Sequence, residues 1–133
     1  MRSKEELLEK VHMLLDQAEI PIKYQSIALT RMLDSSRDDL VLKAELMNRG
    51  VRFCCYERGE LIVDRYVNDE VLIEYLMVRE VIESFCNEFF NAKCKDEGYF
   101  DNAGLIHAKE GAFTLLGSPY YELYKNKVTK YVI

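Results

Sequence analysis

Apolar residues recur along this chain with two periods: near 3.6 toward both ends and 2 through the middle. Ser3 followed by Glu6 forms a capping box, in which hydroxyl and carboxylate each satisfy a free amide at a helix start. Leu7, Leu8, Val11, Leu14, Leu15 and Ala18 then fall on one helical stripe. The stripe predicts a helix from Lys4 to Glu19, stopped by Pro21. Tyr24 to Met32 fits either a strand or a short helix from Ser26 to Leu33, and polar Asp34 to Asp39 reads as a loop.

The period then drops to 2. Leu40, Leu42, Ala44 and Leu46 alternate with Val41, Lys43 and Glu45, as in a half-buried strand. Asn48-Arg49-Gly50 predicts a turn. Val51, Phe53 and Cys55 share one face of the next strand, with Arg52, Cys54 and Tyr56 on the other. After a turn at Arg58-Gly59, a further strand carries Leu61, Val63, Arg65 and Val67 on one side. Such short turns join strands into an antiparallel meander.

Asn68 or Asp69 caps a long helix. On a helical wheel Val71, Leu72, Tyr75, Val78, Ile82, Phe85, Cys86 and Phe89 cluster, while Glu70, Glu74 and Glu88 fall elsewhere with Met77 beside them. This helix should fade near Asn91 to Lys95, before a loop with Gly98 at its turn. Ala103 to Leu116 reads as a helix with Leu105, Ile106, Phe113 and Leu116 inward. Gly117 suits a helix end, and Ser118-Pro119 suits an N-cap with proline at the first helical position. Tyr120 to Tyr131 predicts a last helix or one that frays into a tail. The fold class is α+β in a single domain, 1–133: an N-terminal helix, a three- to four-stranded antiparallel meander, a long helix and two C-terminal helices. Leu61, Val63 and Val67 are expected beneath the N-terminal helix and the long helix.

Length and composition fit this reading. The 133 residues are 49% hydrophobic, enough for one core, and carry a net charge of −5. That charge argues against general binding to nucleic acid. It is also uneven. Residues 57–101 hold five basic residues against twelve acids, a net of −7, while the segments on either side are neutral or basic. No apolar run approaches the length of a membrane span, and the N-terminus lacks the apolar core of a signal peptide. Cys54, Cys55, Cys86 and Cys94 have no Cys-x-x-Cys spacing, which predicts free thiols and a cytoplasmic setting.

Candidate chemistry is sparse. His12 and His107 belong to no metal-ligand spacing and read as surface or packing residues. Cys94, beside Lys93 and Lys95, is the thiol best placed for reactivity, yet a helix-end thiol without a task is the simpler account. Asp69-Glu70 is explained by the helix dipole and Asp38-Asp39 by loop solvation. No glycine-rich phosphate loop, hydrolase, kinase or dinucleotide motif occurs. No cofactor, metal or catalytic residue is expected. Tyr120, Tyr121, Tyr124 and Tyr131 suit the edge of a core, with a binding patch as the alternative.

One stretch carries a family resemblance. Gly-Val-Arg-Phe-Cys-Cys-Tyr-Glu-Arg-Gly-Glu, from Gly50 to Glu60, is followed by a strand and then by Asn68-Asp69 and Glu74-Tyr75-Leu76. This resembles the sheet-to-helix centre of the immunity-63 family of bacterial polymorphic toxin systems. Leu115-Leu116-Gly117-Ser118-Pro119 with its tyrosine-bearing helix resembles the family's C-terminal end. The resemblance spans about Leu40 to Tyr124, and Pro21 to Asp39 lies outside it. It implies a small non-enzymatic cytosolic protein, encoded beside a toxin, as in contact-dependent inhibition. Such a protein binds the cognate toxin domain and blocks it. Many such domains are nucleases and basic, which suits the acidic middle of this chain.

The hypothesised partner-binding face is Glu57, Glu60, Asp64, Tyr66, Asp69, Glu70 and Glu74, with no direct role for nucleic acid or membrane. Two alternatives remain open. One is a phage-encoded or regulatory interaction module using the same acidic face. The other is a small enzyme built on Cys94 and His107.

Overall fold

The computed structural model describes residues 3–36, 38–99 and 101–131. Helix α1 (Lys4–Gln17) opens on the expected capping box: Glu6 N–H donates to Ser3 Oγ at 3.2 Å, and Ser3 N–H donates to Glu6 Oε1 at 3.1 Å. The ambiguous segment after Pro21 is a helix, α2 (Ile22–Leu33). Its buried stripe is Gln25, Leu29 and Met32, so a polar residue holds one of the inward positions and obscures the helical period. Gln25 is fully buried and fully employed. It donates to Asp16 Oδ1 at 2.8 Å and to Ile20 O at 2.7 Å, and accepts from His12 Nδ1 at 2.8 Å. That network ties α2 to α1 and gives His12 a packing role.

The sheet has three strands in the order β1 (Lys43–Leu46), β2 (Val51–Glu57), β3 (Glu60–Val67), all antiparallel. The first strand begins three residues later than its alternation predicts. Leu40 instead turns through φ +61°, and its N–H donates to Tyr56 O at 2.8 Å. Arg58 and Gly59 both have positive φ, 52° and 80°, as a two-residue hairpin between twisted strands requires. Val51, Phe53 and Cys55 face inward with Val63 and Val67 opposite them. Between Cys55 and Tyr56 the register shifts, so that Tyr56 opposes Leu61. One extra residue on β3 inverts the facing of everything before Val63. Leu61 therefore stands on the outer face, 42% exposed, and not beneath the helices as its alternation predicts.

Helix α3 (Glu70–Glu97) is capped by Asp69, whose carboxylate accepts from Leu72 N–H at 2.9 Å. It continues past the expected fade to Gly98. Helices α4 (Asn102–Leu116) and α5 (Tyr120–Lys125) complete the fold. The Ser118–Pro119 bond is cis, and Pro119, not Ser118, holds the cap position of α5. α3 is the central helix, with α1, α2, α4 and α5 all packed on it. Six consecutive residues, Ile73 to Val78, are consequently buried, and no single stripe describes the helix. Glu74 and Met77 lie inside, contrary to the wheel, while Val71, Phe89 and Ile106, read as inward, are exposed. The inner sheet face joins one apolar cluster with residues from α1, α2, α3, α4 and α5.

The final helix gives way to a tail after Lys125, and that tail is anchored. Tyr75 Oη donates to Val128 O at 2.6 Å, Lys130 Nζ lies 3.4 Å from Glu80, and Arg65 Nη2 donates to Tyr131 O at 3.0 Å. Phe113 and Tyr124 stack at 4.4 Å, and Arg79 lies 5.2 Å above the Tyr124 ring. Much of the C-terminal tyrosine group therefore packs at the edge of the core.

Candidate functional site

The helices cover one face of the sheet, and the outer face carries the most varied exposed chemistry. There β1 presents Lys43 and Glu45, β2 presents Arg52, Cys54 and Tyr56, and β3 presents Asp64 and Tyr66, joined by Leu61 through the bulge. Arg52 holds Asp64 through two hydrogen bonds, Nε to Oδ1 at 2.8 Å and Nη2 to Oδ2 at 3.1 Å, and lies 3.5 Å from Glu45. The hydrogen bond and charge of Arg52 hold the Asp64 carboxyl below its usual range. The pair is solvent-facing, so it orders the surface more than it stabilises the fold.

Tyr66 is 54% exposed on this face. Its ring lies over Gly50, where a Cβ would meet both the Tyr66 ring and the Val67 carbonyl. Gly50 thus lets the β1–β2 turn close against β3 and seats the Tyr66 ring. Cys54 is buried beneath its neighbours on the same face, and burial pushes its thiol up, away from a nucleophilic thiolate.

The hypothesised binding residues fall into separate groups. Glu57 and Glu60 oppose each other, exposed, at the hairpin end of β2 and β3. Asp64 and Tyr66 lie along the outer face. Asp69 and Glu70 sit at the start of α3, beyond the other end of β3, a strand about 23 Å long by the rise of an extended chain. Asp69 is engaged as a helix cap. Glu74 does not belong to any surface. It is 4% exposed and accepts a hydrogen bond from Tyr120 Oη at 2.5 Å. Its burial follows from α5 folding back on α3, a contact between residues 46 positions apart.

Cys94 lies half-buried near the end of α3, and His107 is exposed on α4. Among the described residues, no group of three or more His, Cys, Asp or Glu side chains is placed to hold a metal ion. None of the described helices is long and apolar enough to cross a membrane. The thiols of Cys55 and Cys86 are pushed up by burial.

Among the grooves that flank α2, two border segments other than α1, and sequence periodicity pointed to neither. The first, about 510 Å³, lies between the outer sheet face and the end of α2. Lys43 lines it but is structurally committed. Its amine donates to Arg31 O at 2.6 Å and to Ser36 Oγ at 3.2 Å, capping the C-terminal end of α2. The second, about 450 Å³, lies between α2, residues 39–42 and α3. Tyr24, Glu80 and Glu88 line it. Its α3 wall is distant in sequence from the other two, so no local pattern signals it.

No family model, curated protein or solved structure matches this chain.

Proposed function

We propose that this chain is a non-enzymatic immunity-type protein that binds and neutralises a basic bacterial toxin domain, of nuclease type, through an acidic surface. One observation supports this reading above others: the sheet leaves its outer face open, with an aromatic and an aliphatic side chain beside the Arg52–Asp64 pair and exposed acids at the hairpin end. Tyr66 and Leu61 stand exposed there, with Asp64 between them and Glu57 and Glu60 at the hairpin end. Exposed aromatic groups on a rigid strand suit affinity, and surrounding acids suit rapid capture of a basic partner. The residues that carry the reading are Glu57, Glu60, Asp64, Tyr66 and Glu70, with Asp69 contributing as a cap and Glu74 withdrawn to the core.

The test is co-expression with the C-terminal domain of a toxin encoded beside this chain. Growth rescue and co-purification are the expected result. A toxin that still kills, with no complex recovered, would overturn the proposal. Rescue by binding alone, with the toxin recovered chemically intact, separates this reading from an enzymatic one.

A further inference from the structure

We propose that an extended segment of the toxin domain lies in the groove between the outer sheet face and the end of α2, and pairs with β1 as a fourth strand of the sheet. The inference rests on the toxin reading for the identity of its partner and adds how that partner is held.

The groove runs along the edge of β1. Every residue of that strand, Lys43 to Leu46, lines it, whereas β2 contributes only Arg52, Cys54 and Tyr56. Successive strand residues point to opposite faces, so a groove confined to one face meets alternate residues, as this one does on β2. Lining by consecutive residues of β1 places the groove at that strand's free edge as well. Its far wall is Leu33 to Ser36 at the end of α2. The Lys43 amine ties this wall to β1 through Arg31 O and Ser36 Oγ, and Ser36 N–H donates to Asp34 Oδ1 at 3.0 Å. The wall is therefore in place before a partner arrives.

The edge offers main-chain groups for pairing. Met47 N–H donates to Gly50 O at 2.9 Å, in the register that sets Leu46 opposite Val51. Bonded pairs alternate along an antiparallel ladder. Glu45–Arg52 and Lys43–Cys54 are therefore bonded pairs, and Ala44 and Leu46 turn their N–H and C=O away from β2. Among the described residues, none bonds to those groups. Ala44 is only 5% exposed, and a buried main-chain group without a partner is rare. The β3 edge differs. Its bulge, the charged Arg65 on its inner side and the tail that Arg65 holds all guard that edge against pairing. Charges of both signs line the β1 groove, Lys4 and Arg52 with Asp34 and Glu45, so net charge does not choose the occupant. An extended peptide suits it because a strand supplies donors and acceptors at the spacing of the ladder. Arg52 and Tyr56 also belong to the outer face that bears Tyr66 and Leu61, so one partner can span both.

The test is amide hydrogen exchange on the isotope-labelled full chain, alone and bound to the C-terminal domain of the toxin encoded beside it. Alone, the Ala44 and Leu46 amides should exchange about tenfold faster than that of Glu45, or more. In the complex both should slow by about tenfold or more. Leu46→Pro removes one edge donor at a position where an edge strand tolerates proline, and should weaken the complex about tenfold relative to Leu46→Ala. Slow exchange of Ala44 and Leu46 in the free chain, a complex that leaves them unprotected, or equal affinity of the two variants would each overturn the proposal. The exchange measurement needs no variant and decides the proposal by itself. A complex without protection sinks the strand pairing and leaves the toxin reading intact, whereas failure to form any complex sinks both.

Discussion

The hydroxyl of Tyr120 donates a 2.5 Å hydrogen bond to the carboxylate of Glu74, joining α5 to the middle of α3 inside the protein. Both residues are buried, at 6% and 4% exposure. A carboxylate in such a place is costly unless donors surround it. Tyr120→Phe removes a donor and keeps the ring, so it should lower the unfolding free energy by about 1–3 kcal/mol. Urea denaturation measures this, and an unchanged midpoint would show that Glu74 does not rely on Tyr120. By the same logic, Glu74→Lys should impair folding before it impairs binding.

Gly50→Ala should be destabilising out of proportion to its size. The added methyl meets the Val67 carbonyl, which belongs to the β2–β3 ladder and cannot move alone, and the Tyr66 ring. A loss of about 1–3 kcal/mol is expected, as for overpacking at other tight contacts. Thermal unfolding tests the loss, and the Tyr66 ring resonances should shift with it. A variant as stable as the parent would show that the turn relaxes freely.

Glu80 sets a pH dependence. Burial disfavours its charged form and lifts its pKa above the ordinary 4.5, despite the Lys130 ammonium at 3.4 Å. The folded chain therefore keeps this proton where the unfolded chain has released it. Its contribution to stability is complete below about pH 4.5 and is lost as pH rises through the folded value. Glu80→Gln cannot titrate, so its stability relative to the parent should climb over that window. Denaturation of both proteins from pH 4 to pH 8 measures the difference, and a constant offset would contradict the assignment.

Tyr66 should behave as an affinity residue, not a stability residue. Its ring is 54% exposed, so Tyr66→Ala should change stability little. Against a basic toxin partner the same substitution should weaken binding about tenfold or more, chiefly through faster dissociation. Glu57→Lys with Glu60→Lys should instead slow association, most at low salt. Stopped-flow kinetics at two ionic strengths separates the two effects. A Tyr66→Ala variant that binds like the parent would place the interface elsewhere.

What the amino-acid sequence determined by itself was whatever a few neighbouring residues decide. Ser3 and Glu6 start α1, Arg58-Gly59 turns the hairpin, and Asp69 caps α3, each through bonds within four residues. The alternation in β2 correctly sorts Val51, Phe53 and Cys55 inward, because strand facing is a local property. The tertiary structure decided whatever depends on a distant partner. Leu61 faces outward because of a register shift against β2, which its own alternation cannot reveal. Gln25 sits in the core because His12, Asp16 and Ile20 satisfy its amide, so a polar letter left this segment open between strand and helix. Glu74 is buried because α3 is packed from several sides, whereas a helical wheel assumes one apolar face. The groove beside α2 has the same origin: its walls come from segments that meet only once the chain has folded.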